Sequence, residues 1–357
     1  MAGWALAILY MTMAAAWQHK LLAGLSTSFC ALQLDGQIYC SGYNGKGNLG
    51  VGQSTEDVLS PTRMLHVTNA TNVCMGDAHT CLVDQAGQAK CVGYNAYYQL
   101  GNGKESNTNK LTNVTGLKRN VAQVFAGSKS TCALLVSGGV QCWGNNLFGG
   151  LGDGTGRNSK FPTLMVGFEN SGVGLVAVGE YHSCLITHAG KAWCMGYNLY
   201  GQLGGNLAQT SSLVPVPVTL SSRDERVFVS ISCGDQHTCA VTNLGAVFCW
   251  GSNRYSQLGR GPQPVIPSQA TLVWSSGYNT FALLSDGTAR AFGFNNHGEL
   301  GTGNRMAVRK PVVLAPRTRN NTIRQVRGGE HTTCLLFEDG SIKCLGTNSH
   351  GQFGIST

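Results

Sequence analysis

Charge is scarce in this chain. Asp, Glu, Lys and Arg make up only 12% of its 357 residues, and proline occurs 9 times. The surface must therefore consist largely of Ser, Thr, Asn, Gln and turn backbone. Catalytic signatures are missing too. No GxSxG, HExxH or P-loop occurs, nor any pair of carboxylates in a constrained setting, so an enzymatic reading has nothing to rest on. No CxxC pair occurs, which removes the usual zinc spacing. Neither a cofactor nor a metal is expected. The one long apolar run, Met1 to Ala16, is too short to favour a membrane span.

Glycine and cysteine are plentiful, at 49 and 14 residues, and both fall in a repeat. The stretch Cys30 to Gly50 recurs, in phase and without gaps, from Cys81, Cys132, Cys184, Cys239, Phe281 and Cys334. Counted from its first residue, each copy has Gly at six and twelve, Asn at fourteen and Leu or Phe at nineteen, and all but the sixth have a second Cys at ten. Such a pattern is a repeat array.

The opening of each copy, a central Gly flanked by β-branched or aromatic residues, reads as a β-hairpin. If Cys30 faces Cys40, the loop is Leu34-Asp35-Gly36. Its third residue must be left-handed, which Gly adopts without steric cost. The same count places both Cys on a non-hydrogen-bonded pair, where Cα atoms approach to about 4.5 Å, within disulfide reach. Bridges are therefore expected at Cys30–Cys40, Cys81–Cys91, Cys132–Cys142, Cys184–Cys194, Cys239–Cys249 and Cys334–Cys344, acting chiefly as local register pins. Buried free thiols are the alternative. In the sixth copy Phe281 and Ala291 put a large and a small apolar residue in the same two places.

Copies start 51, 51, 52, 55, 42 and 53 residues apart, room for about four short strands each, often with a proline before an apolar pair (Pro61, Pro162, Pro215, Pro311). An all-β radial array follows, each unit touching only its neighbours. Fourteen cysteines, most in one fixed spacing, indicate an oxidising compartment. Residues 1–16 end in small residues resembling a cleavage site and are expected to be a signal peptide, although no positive charge precedes the apolar run. Alternatively Trp4 to Met11 closes the ring as a strand, because the hairpins have one connecting segment too few. The sequons at Asn69, Asn113 and Asn320 lie in connecting segments and are glycosylation candidates.

The run Gly179-Glu180-Tyr181-His182-Ser183-Cys184, then Gly190, Met195-Gly196-Tyr197-Asn198 and Gly201-Gln202-Leu203-Gly204, resembles the repeat of regulator-of-chromosome-condensation proteins. The resemblance runs from about Leu21 to the C-terminus. It implies a seven-bladed β-propeller with about four short strands per blade, one domain over residues 17–357. It implies little about function, since members include a nuclear exchange factor for a small GTPase, a plant ultraviolet photoreceptor and a secreted β-lactamase inhibitor. The hairpin cysteines depart from the nuclear members and are similar to extracellular versions such as the ectodomains of crinkly-type receptor kinases.

Two loop positions are candidates for binding. Two residues after the repeat Asn stand Lys46, Tyr97, Phe148, Tyr200, Tyr255, His297 and His350; just after the second Gly stand Tyr43, Tyr94, Tyr197 and Phe294, with Asn145, Ser252 and Thr347 in the other copies. Symmetry puts each set on one circle at one face, where rings on rigid loops either make a binding surface or pack against the next blade. His79, His182 and His237 share a register, but their blades are spread around the ring, and the resemblance implies a structural role. Cys74 and Cys233 fall outside the hairpin scheme and are expected to be buried thiols. Gly45-Lys46-Gly47-Asn48-Leu49-Gly50 matches GxGxxG but opens no helix, so it is a repeat motif. The formal net charge is +8, and Arg305, Arg309, Lys310, Arg317, Arg319, Arg324 and Arg327 crowd one link. The expected function is a secreted, non-catalytic, monomeric binding protein whose partner is a protein or an acidic glycan, with nucleic acid disfavoured by secretion. The alternatives are an exchange factor for a small GTPase and an ectodomain-like piece of a receptor.

Overall fold

The computed structural model describes residues 21–353 apart from 26, 54–55, 118–119, 170–171, 206–207, 221–225, 261–262, 315–321 and 330. The expectations for Met1–Ala16, Trp4–Met11 and Asn320 lie outside the described residues. Seven antiparallel sheets form a seven-bladed β-propeller. Blade 1 shows the plan: β1 (Leu21–Leu25) is innermost, β2 (Ser28–Leu32) and β3 (Ile38–Gly42) form the hairpin, and β4 (Val58–Arg63) is the outer edge.

The hairpin turn is built as its spacing predicts. Gln33 N–H donates to Gln37 O at 2.8 Å, and Gly36 takes a φ of 74°; its equivalents in the other blades lie between 72° and 85°. A Cβ at Gly36 would also stand 2.7 Å from the Asn69 backbone, so the link to the next blade excludes a side chain there. Each Cys pair sits directly opposite with Cα atoms 4.0–4.1 Å apart and is bonded. The Asn at fourteen and the Leu at nineteen are one device. In every blade the Asn Oδ1 accepts the N–H of residue nineteen at 2.9–3.0 Å, which seats the fully buried Leu49, Leu100, Leu151, Leu203 and Leu300 between blades.

Two blades have three strands among the described residues rather than four. Blade 5 (Phe228–Cys233, His237–Thr242, Val247–Gly251) is followed by the shortest link, which carries Pro264 and Pro267. Proline cannot donate to a ladder. Only a single bridge forms, Val247 with Ile266, and the Gln263 side chain accepts the Cys249 N–H at 3.0 Å where a strand would have run. Blade 7 comprises Ile323–Gly328, Thr332–Phe337 and Ile342–Gly346. The prolines Pro61, Pro162, Pro215 and Pro311 all lie in outermost strands, the edge position that tolerates them. The ring closes where β1 packs against Ile323–Gly328 and where Ser41 Oγ donates to Gln352 O at 3.1 Å.

Candidate interaction face

Behind the loops lies a buried clasp that holds neighbouring blades together. His79 Nε2 meets Thr131 Oγ1 of the next blade at 2.9 Å, and Thr131 Oγ1 donates to Gln99 O at 3.0 Å. The single Thr proton is thus spent, so His79 must carry its proton on Nε2 and donate it. His182 with Thr238 and His237 with Thr280 repeat the arrangement at 2.9 Å. Burial pushes the three imidazoles down, to about 3, 4 and 3. Each ring leans on a Gly three residues earlier; a Cβ on Gly76 would come within 2.2 Å of His79 Cε1 and 2.3 Å of Gly127 O. These histidines are inter-blade clasps.

Cys74 and Cys233 are free thiols, half-buried and buried, pushed up to about 12 chiefly by burial. Cys233 lies close to His182 and Cys184. The Cys184 sulfur is bonded to Cys194, so the trio does not offer two thiolates to an ion.

The two candidate loop sets meet each other across the seams, together with a third set that the sequence did not reveal, three residues before each hairpin start. Phe148 packs on Tyr181 and Tyr197 at 5.3 and 4.7 Å, and Tyr200 meets Tyr197 at 6.2 Å. Tyr255 packs on Tyr278 and Phe294 at 4.6 and 5.4 Å, and His297 stands 4.1 Å from His331. Lys46 lies over Tyr94, which meets Tyr97; Lys129 lies over both Tyr97 and Tyr181. His350 packs on Tyr43 at 5.7 Å and pairs with Asp57 at 2.7 Å, joining blade 7 to blade 1. Most of these rings are half-buried. Tyr200 is 45% exposed, and the loops of blades 3 and 4 also expose Leu147 and Leu199, at 63% and 57%. Blades 3 and 4 therefore present two leucines and a tyrosine over a packed aromatic base. Symmetry placed Tyr200 on the circle; Leu147 and Leu199, one residue earlier in the repeat, are functional candidates that the sequence reading missed.

The described residues of the basic run do not form one patch. Arg309 and Lys310 are exposed on the outermost strand Val308–Val313, whereas Arg327 lies on the innermost strand of blade 7, over Trp274 at 5.7 Å. Arg317 and Arg319 lie outside the described residues. Asn69 and Asn113 are both exposed.

A profile of the RCC1-like domain matches residues 14–266, and one of the regulator of chromosome condensation (RCC1) repeat matches residues 286–336. The chain belongs to the RCC1-like family. It is 30% identical over 351 residues to the ultraviolet-B receptor UVR8 of Arabidopsis thaliana, covering 94% of this chain and 78% of that protein. It is 29% identical over 359 residues to the human E3 ubiquitin-protein ligase HERC2, of which it spans 7%. Human WBSCR16 shares the fold with a TM-score of 0.76 at 21% identity, over 88% of this chain and 85% of that one. No helix among the described residues is long and apolar enough to cross a membrane.

Proposed function

We propose that this RCC1-like propeller is a secreted, non-catalytic binding protein that engages a protein partner through the loop face of blades 3 and 4. The observation that carries this reading is the exposure of Leu147, Leu199 and Tyr200 on two neighbouring loops, which the Phe148–Tyr197 contact joins and the hairpin disulfides brace. Exposed apolar side chains gathered on fixed loops lose little conformational freedom on binding, and their burial supplies the driving force. An acidic glycan is supported less well, because the basic run is split between the outer edge and the inner strand. Secretion is supported by six hairpin disulfides, a class of bond that persists in oxidising compartments. Asn69 and Asn113 then become accessible for glycosylation.

Affinity capture from the extracellular medium tests the face. Leu147→Ser and Tyr200→Ala should each weaken capture of whatever the unaltered protein retains, with unchanged melting. Capture that survives both substitutions removes this face. Accelerated nucleotide release from a small GTPase, with the cysteines reduced in cells, would establish the exchange-factor alternative instead.

A further inference from the structure

Three repeat positions line the seams: residue eighteen of the repeat (Gly150 in blade 3), the residue two before the hairpin start, and the residue just before the hairpin start of the next blade (Phe29 after blade 7). Within a blade the first reaches the second, as Gln352 Nε2 reaches Thr332 Oγ1 at 3.3 Å and Asn48 Nδ2 reaches Ser28 Oγ at 3.5 Å. Across the seam the second meets the third, as His79 meets Thr131, and the third bonds the backbone of the first, as Thr131 does with Gln99.

After blades 2, 4 and 5 the trio is Gln, His and Thr. The atoms left without a partner among the described residues are an amide donor and an imidazole acceptor: Gln99 Nε2 with His79 Nδ1, Gln202 Nε2 with His182 Nδ1, and Gln257 Nε2 with His237 Nδ1. A donor beside an acceptor suits a water. After blade 6 the trio is Glu299, Asn279 and Thr333, each 0% exposed. Glu299 Oε2 accepts the His297 N–H at 2.9 Å, as the Gln carbonyls do in their own loops. Glu299 Oε1, Asn279 Oδ1 and Nδ2 and Thr333 Oγ1 have no partner among the described residues. Three of these four atoms are oxygens, and one belongs to a carboxylate.

We propose that Glu299, Asn279 and Thr333 hold a small monovalent cation of sodium's size between blades 6 and 7. An all-oxygen donor set selects a hard cation, and one carboxylate balances one positive charge. A buried carboxylate is costly unless something positive faces it. Asn279, two ring atoms shorter than the histidine of the sister blades, gives up the direct bond to the next blade's Thr and makes room for an ion. Burial pushes the Glu299 carboxyl up, against the opposing influence of backbone N–H groups and of His297 and His331. The ion ties blade 6, which lacks a hairpin disulfide, to blade 7. It is independent of the binding face proposed above.

The test is thermal unfolding of the oxidised full chain in sodium, potassium and choline chloride at equal ionic strength and neutral pH. Sodium should raise Tm over choline in a saturable way, by about 4 °C at a hundredfold excess over its Kd. Glu299→Gln, which installs the residue found in blades 2, 4, 5 and 7, should fold and lose that dependence; Asn279→His should lose it by rebuilding the direct clasp to Thr333. Identical Tm values in the three salts overturn the site, as does a sodium effect that persists in Glu299→Gln. A Tm indifferent to salt, with a pH dependence between pH 7 and 5 that differs between the native chain and Glu299→Gln, would show a protonated Glu299 instead, and also overturns it.

Discussion

In blade 4 the hairpin is bonded through Cys184 and Cys194, and His182 clasps Thr238 of blade 5; in blade 6 the corresponding places hold Phe281 with Ala291, and Asn279. The register is nevertheless the same. Phe281 lies directly opposite Ala291 as Cys184 lies opposite Cys194, and both apolar residues are fully buried. The sixth hairpin therefore keeps its register without sulfur, through the glycine turn and the side chains that must face the core. A disulfide and a buried phenyl ring are two ways to stabilise one geometry, the first by restricting the unfolded chain and the second by removing apolar surface from water.

Acid should separate the two kinds of seam most strongly. The folded values of His79, His182 and His237, about 3, 4 and 3, lie below the ordinary 6.5, so the unfolded chain takes up these protons first. Their contribution is complete above pH 6.5 and is lost as pH falls toward the folded values. The loss is about 2 kcal/mol for each by pH 5, or about 6 kcal/mol together. Hydrogen exchange at pH 5 should then show protection falling in blades 2, 4 and 5 before blade 6; uniform loss around the ring would contradict the clasp.

Phe281→Ala comes next, at about 3–5 kcal/mol in denaturant unfolding, because the pocket cannot close on the missing ring. Adding Ala291→Cys to Phe281→Cys should convert the sixth hairpin to the design of its neighbours, giving a new bridge between residues 281 and 291 in non-reducing peptide maps and recovering part of that loss. Removing one native bridge, with Cys132→Ala and Cys142→Ala, should cost about 3 kcal/mol and leave the other blades' hydrogen exchange unchanged. The smallest effect is expected for Tyr200→Ala, within about 0.5 kcal/mol in stability, since its side chain is 45% exposed and, among the rings of the described residues, meets only the edge of Tyr197. A large loss would assign Tyr200 to the seam.

The ring and its hairpins were legible because a strict period repeats the same turn chemistry, so that Gly36 and Cys40 announce themselves seven and six times over. The inner strands were not. Segments such as Val121–Ala126 and Val173–Val178 share only a buried aliphatic residue eight places before the hairpin start (Val73, Val124, Val176, Ile231, Val273, Val326), and one apolar position without a turn signal does not mark a strand. The short interval before the sixth copy held a sign of the missing strand in blade 5, but only the positions of Pro264 and Gln263 explain it. The aromatic circles could be drawn from symmetry, whereas their partners Tyr181, Tyr278 and His331 belong to the next copy, and a count made within one repeat cannot find them.

Every sulfur–sulfur bond in this molecule begins and ends in one hairpin. None among the described residues crosses from blade to blade, so the circle itself is held shut by noncovalent contacts alone. Each hairpin can oxidise as soon as it leaves the ribosome or the translocation pore, with no need to wait for the chain's far end; in blades 2 and 5 alone a competing thiol, Cys74 or Cys233, stands nearer in sequence than the right partner. A pulling force applied to the two ends of the ring should part the first blade from the seventh while all six sulfur loops stay intact, leaving a string of bonded hairpins that can snap back.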